Sequence, residues 1–178
     1  MKKVLGDLKN YEHELIFVND GSKDKTLPIL EEIAKKDDNV KVISFSRNFG
    51  HQAAVTAGLK KVTGDAVVII DADLQDPPEL IPEMLKLWED GNEVIYGKRK
   101  TRDGESHFKL FTAKMFYKTL NALSDVEIPK DTGDFRLVDR KVVDTINSLP
   151  EHNKFLRGLF SWVGYKQIPY EYERKERF

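Results

Sequence analysis

At 178 residues the chain has the length of one domain, and with 40% hydrophobic and 33% charged residues it can bury a core, which excludes wholesale disorder. Lys and Arg number 29 against 30 Asp and Glu, a net charge of -1 that excludes bulk electrostatic attraction to nucleic acid. There is no Cys, which excludes disulfides, thiolate catalysis and Cys-ligated zinc, and the run Ala66 to Ile70 falls far short of the roughly 20 apolar residues of a membrane span.

The N-terminal MKKVLGDLKN lacks the apolar segment of a secretory signal, so a soluble domain is expected, with any membrane contact peripheral. Leu15 to Val18 reads as a strand that stops at Asn19-Asp20-Gly21-Ser22. A helix follows, capped by Ser22 or Thr26; Pro28 favours Thr26 because proline fits the first turn. Leu27, Leu30, Ile33 and Ala34 recur at helical spacing. Val40 to Phe45 is the next strand, Ser46 to Gly50 a polar loop, and Gln52 to Lys61 a helix of small residues. Ala66 to Ile70 is apolar on both faces, which predicts a central parallel strand covered by helices. Asp76-Pro77-Pro78-Glu79 opens a helix striped by Leu80, Met84, Leu85, Leu87 and Trp88, with Asp76 as its expected N-cap. Glu93 to Tyr96 is a further strand. This β-α-β-α-β-α-β order predicts a layered α/β domain with a mostly parallel sheet. From Lys98 to Lys118 seven cations face only Asp103 and Glu105, with Phe108, Phe111, Met115 and Phe116 interleaved. The segment reads as an amphipathic helix over the sheet, with a capacity to rest on anionic lipid. Asp131 to Val138 is a polar turn entering a strand, Asp139 to Ile146 is helical, and Phe155 to Val163 is an apolar segment broken by Arg157 and Gly158. The charged tail Glu171 to Phe178 resembles a sheet edge or a cut end.

Chemistry concentrates at predicted strand ends, where open α/β sheets bind ligands. Asp71 and Asp73 leave the apolar run two residues apart, suiting a hard divalent cation that also takes substrate phosphate oxygens. Asp20, in Asn19-Asp20-Gly21-Ser22, is placed to accept hydrogen bonds from a nucleobase or ribose, or to form an Asx turn, and Gly21 permits both. Arg99 lies just past a strand and suits a phosphate. Asp134 and Arg136 form a plausible ion pair, structural or catalytic in equal measure. The four His show no metal spacing, but His51 sits at a loop-to-helix junction close to the expected site.

Five segments occur in order: Val18 to Ser22, Ser46-Arg47-Asn48-Phe49-Gly50-His51-Gln52, Asp71 to Glu79, Tyr96 to Arg99, and Thr132-Gly133-Asp134-Phe135-Arg136-Leu137. Together they resemble the family 2 glycosyltransferases of GT-A fold, in the polyprenyl-phosphate branch, over a stretch from about Glu14 to the C-terminus. The resemblance implies one catalytic domain over 1–178, with a nucleotide-sugar-binding half at 1–97 and an acceptor-side half at 98–178. It implies inverting transfer from a UDP- or GDP-sugar to a polyprenyl phosphate at the cytoplasmic face of the membrane, assisted by Mg²⁺ or Mn²⁺. Asp71 and Asp73 match the D-x-D motif, and Gln75 a further metal position. Asp20, Ser22, Asn48, Asp71 and Arg157 match the nucleotide-sugar side, and Asp134, Arg136 and Arg99 the catalytic and acceptor side. Asn19 stands where many relatives carry Asp. The chain begins at what reads as the helix after the family's first strand, and the lipid-handling helices that usually follow the domain are not in it. An edge left by that strand would favour homo-oligomers.

A phosphate acceptor, with its second pKa at about 6, needs little general base at neutral pH, so Asp134 is expected to orient the acceptor or an Arg. Three other readings stay open at this point. One is a haloacid-dehalogenase-type phosphatase, from Asp71-x-Asp73 after a strand, although Gln75 stands where that motif wants Thr or Val. Another is a non-catalytic nucleotide-sugar-binding domain. The third is a glycosyltransferase whose acceptor is a saccharide hydroxyl.

Overall fold

The structure is a computed structural model, and it describes residues 1–100 and 132–173. Most of the cationic stretch after Lys100, and the end of the charged tail, therefore lie outside the described residues. In chain order the elements are α1 (Lys2–Asp7), β1 (Leu15–Asn19), α2 (Thr26–Ala34), β2 (Val40–Ser44), α3 (His51–Leu59), β3 (Ala66–Ile69), a 3₁₀ turn (Pro78–Leu80), α4 (Ile81–Glu89), β4 (Val94–Arg99), β5 (Thr132–Asp139), α5 (Arg140–Ser148), α6 (Leu156–Trp162) and β6 (Gln167–Tyr172).

Local chemistry sets most boundaries. The first amide of α2, from Thr26, donates to Asp24 Oδ1 at 2.9 Å, so Asp24 does the work expected of Ser22 or Thr26, while Pro28 lies in the first turn as expected. Prolines enter the 3₁₀ turn and α4 in their first turns, where no intrahelical N–H is lost. Asp139 caps α5 by accepting from the Lys141 amide at 3.0 Å, and Val142, Val143 and Ile146 fill the buried face of that helix.

The layered α/β arrangement holds, and the strand pairing corrects the expectation of a mostly parallel sheet. Among the described residues β1 and β2 form a parallel pair, with Leu15 opposite Val40 and Asn19 opposite Ser44. A second sheet runs β3-β5-β4-β6. In it β5 is antiparallel to both β3 and β4, and only β4 and β6 are parallel. The apolar run thus forms β3, which among the described residues is the terminal strand of its sheet, not a central parallel one. Apolar residues on both faces report that both faces are covered; they do not report the direction of the neighbouring strand.

Alternation along β5 divides the core into two layers. Phe135 and Leu137 join Ile95, Tyr172 and the α4 residues Ile81, Met84 and Leu85. Val138 faces the other way, into a layer with Val67, Val94, the α5 residues Val142, Val143 and Ile146, and the α6 residues Leu156 and Phe160. Asp139 returns to the α4 side, where its Oδ2 accepts from the Trp88 indole at 2.7 Å. The polar residues Asp134 and Arg136 share the face of Val138, and so open toward α6.

Candidate active site

The antiparallel register brings the acids together. Val67 pairs with Val138 and Ile69 with Arg136, so continuing that ladder sets Asp71 level with Asp134. Asp134 is 9% exposed and accepts two hydrogen bonds from Arg157 of α6, from Nε to Oδ1 at 2.7 Å and from Nη2 to Oδ2 at 2.9 Å. His51, first residue of α3, stands between the acids, with Nε2 2.9 Å from Asp134 Oδ2 and Nδ1 3.8 Å from Asp71 Oδ1. Burial pushes the Asp134 carboxyl up, but the Arg157 hydrogen bonds and charge, with Arg136 and His51, outweigh it and leave the pKa below the usual value. Asp71 goes the other way: burial raises its pKa, and Asp134, Asp76 and Asp73 add to the rise against a lowering by His51.

That crowding of negative charge is what a cation would relieve. Asp71, Asp73 and Gln75 offer oxygen donors of the kind Mg²⁺ and Mn²⁺ take, and burial together with Asp134, Asp76 and Asp73 raises the Asp71 pKa. Among the described residues no three or more His, Asp or Glu are grouped so as to hold a metal by themselves. The set therefore fits an ion that shares its coordination with ligand oxygens. The turn carrying these residues is tight: the Gln75 amide donates to Asp73 Oδ1 at 3.1 Å, and Leu74 adopts φ +61°, with its side chain exposed.

The other expected site residues are placed as follows. Asp20 accepts the Phe49 amide on Oδ1 at 2.7 Å and the Gly50 amide on Oδ2 at 2.9 Å, so it orders the loop that leads into His51. Neither Asp20 bond is an Asx turn, and the local side-chain bond belongs to Asn19, whose Oδ1 accepts the Ser22 amide, three residues on, at 3.2 Å. Ser22 and Asn48 are exposed on this side. Arg136 is 4% exposed and turned inward, donating to the Gly133 and Asp134 carbonyls at 3.1 and 3.3 Å, with its guanidinium 4.5 Å from the Phe160 ring centroid. Burial brings its pKa down to about 10. Its Nη2 is 3.9 Å from Asp134 Oδ1, so the expected Asp134–Arg136 pair is secondary to Asp134–Arg157. Arg99 leans over Gly133 and toward Tyr172 rather than joining the Asp71–Asp134 group. Asp76 is not a helix cap; it is 1% exposed and accepts from the Tyr172 hydroxyl.

Two features went unseen in the sequence. Gln52 Oε1 accepts the Leu156 amide at 3.0 Å, tying the start of α3 to the start of α6, and Tyr172 reaches Asp76. Both join residues about a hundred positions apart, and no local spacing announces such a contact.

A mixed α/β sheet with acids at the ends of its strands and an arginine held against them is the arrangement of the GT-A fold. Solved structures share that fold: a mannosyltransferase from Pyrobaculum calidifontis, in complex with GDP-Man and Mn²⁺, matches with a TM-score of 0.60 and 16% identity, covering 99% of this chain and 52% of that one. Glucosyl-3-phosphoglycerate synthase from Mycobacterium tuberculosis, in complex with Mn²⁺, UDP-glucose and phosphoglyceric acid, matches with a TM-score of 0.58 and 22% identity, covering 93% of this chain and 61% of that one. The family model Glycosyl transferase family 2 matches residues 1–146, and the chain belongs to that family. Among curated relatives it is 56% identical over 177 residues to the uncharacterized glycosyltransferase YkcC of Bacillus subtilis, covering 99% of this chain and 54% of the relative. It is 47% identical over 171 residues to the bactoprenol glucosyl transferase of Shigella phage SfX, covering 96% of this chain and 56% of the relative. The chain spans about half the length of these relatives. No helix among the described residues is long and apolar enough to cross a membrane.

Proposed function

We propose that this chain carries the donor site and catalytic centre of an inverting glycosyltransferase that moves a sugar from a nucleoside diphosphate to a polyprenyl phosphate. The meeting of Asp71 with Asp134, His51 and Arg157 on one face of the mixed sheet carries the reading. Likeness to bactoprenol glucosyl transferases at 46–47% identity supports the acceptor class, and fold neighbours in complex with GDP-Man or UDP-glucose support the donor class. The acceptor class in turn supports a place at the cytoplasmic face of the membrane.

Asp71, Asp73 and Gln75 would hold Mg²⁺ or Mn²⁺, which would supply charge to the departing nucleoside diphosphate. Asp20 shapes the Phe49–Gly50 loop, and with Ser22 and Asn48 lines the nucleotide side. Arg157, partly exposed and oriented by both oxygens of Asp134, is placed to meet phosphate oxygens as charge grows on them. A phosphate acceptor is already largely dianionic at neutral pH, so Asp134 serves as the anchor of Arg157 rather than as a base. Arg136 supports this face from within the core.

Calorimetry with UDP or GDP, with and without Mn²⁺, tests the donor and metal roles, and turnover with polyprenyl phosphate tests the acceptor. We expect ion-dependent nucleotide binding that Asp71→Asn with Asp73→Asn abolishes. Nucleotide affinity untouched by that double change, or turnover only with a saccharide hydroxyl, would falsify the proposal.

A further inference from the structure

Asp76 and Tyr172 form a hydrogen-bonded contact within a largely apolar layer. Asp76 is 1% exposed, Tyr172 is 4% exposed, and the phenol donates to Asp76 Oδ1. Around them lie Ile81, Met84, Leu85, Ile95, Phe135 and Leu137. The Tyr172 ring meets Phe135 edge-on, with centroids 5.7 Å apart. Beneath it β4 is bare: a Cβ on Gly97 would lie 2.8 Å from Tyr172 Cε1 and 3.0 Å from Phe135 Cδ1. Arg99 is the partner of Tyr172 in the β4–β6 register. A core that needed only filling would use an apolar side chain, because a buried carboxylate is costly unless its donors are fixed.

The position of Asp76 in the chain indicates what the contact is for. It follows Gln75 directly and ends the turn that begins at Asp71. At the centre of that turn Leu74 holds φ +61°, a conformation a non-glycine residue keeps only where its surroundings leave no other choice. The entry is fixed by the β3–β5 ladder and the tip by the Gln75 amide on Asp73. The exit is fixed by buried Asp76 and by Pro77 and Pro78.

We propose that Tyr172 is a positioning residue for the Asp71–Asp76 turn, its hydroxyl clamping Asp76 so that Asp73 and Gln75 keep the spacing a diphosphate-bound divalent cation requires. The ion in this statement rests on the function proposed above; the clamp does not.

Tyr172→Phe tests it, because the ring and its packing remain. Hydrogen exchange in the full chain should show the amides of residues 72–76 exchanging about tenfold faster, with β3 and α4 unchanged. The Mn²⁺ concentration that half-saturates UDP binding should rise several-fold, and Asp76→Asn added to Tyr172→Phe should contribute little more. Unchanged exchange at 72–76 overturns the clamp, and faster exchange with an unchanged Mn²⁺ requirement overturns its role in ion binding. Should UDP binding by the wild-type chain need no divalent ion, the proposed function fails on that count while exchange still decides the clamp.

Discussion

Gly21 has φ +70°, and a Cβ there would lie 2.4 Å from the Arg47 carbonyl carbon and 2.7 Å from the Asn48 amide nitrogen. Both the conformation and the close approach exclude a side chain. Gly21→Ala should therefore destabilise the chain by about 2 kcal/mol or more, a fall in Tm of about 5 °C or more in a thermal melt. Glu14 gives a pH signature at the same scale. Burial alone would raise its pKa, but Lys41, the Thr63 amide and the Thr63 hydroxyl together lower it from 4.5 to about 2. The folded value lies below the unfolded one, so the stabilisation is complete above about pH 4.5 and is lost as pH falls toward 2. Lys41 is half exposed, and solvent screening reduces the contribution to about 1–2 kcal/mol. Glu14→Gln should flatten the acid limb of Tm against pH; an acid limb identical in the two proteins would show that Glu14 contributes nothing to it.

At the scale of elements, the joint between α5 and α6 depends on Lys154. Its buried ammonium donates to the Ile146 carbonyl and, at 3.0 Å, to the Leu149 carbonyl, satisfying acceptors that the end of α5 leaves open. Lys154→Met keeps the apolar stem and removes those bonds, and should cost about 1–3 kcal/mol. Because Arg157 lies in the first turn of the next helix, the same variant should also weaken phosphate-dependent binding, which calorimetry would register. Element types were largely legible from periodicity: the stripe of Leu80, Met84, Leu85, Leu87 and Trp88 became the 3₁₀ turn and α4, and the run Ala66 to Ile70 became β3. Pairing direction was not. Nothing in Ala66 to Ile70 says that its neighbour runs antiparallel, yet that direction is what sets Asp71 level with Asp134. The same limit applied to arginines. The resemblance sets Arg136 on the acceptor side and Arg157 on the nucleotide-sugar side, and only the alternation of β5 against α6 shows that Arg136 is buried in the core while Arg157 pairs with Asp134.

For the whole molecule, ligand binding and stability are linked. If the chain binds as proposed, a nucleoside diphosphate with Mn²⁺ at about 100 times Kd should add about 2.7 kcal/mol to the folded state, a rise of roughly 5–10 °C in Tm. Chelation with EDTA should remove that rise; an equal rise in EDTA would show nucleotide binding without an ion. The same long-range contacts that build the site also set when it can exist. Tyr172 and Asp76 are 96 positions apart, and Leu156 and Gln52 are 104 apart. Closing such intervals is slow compared with forming helices. During synthesis, the acidic turn leaves the ribosome long before the tyrosine proposed to steady it, so a nascent chain carries its acids for some time without that distant hydroxyl.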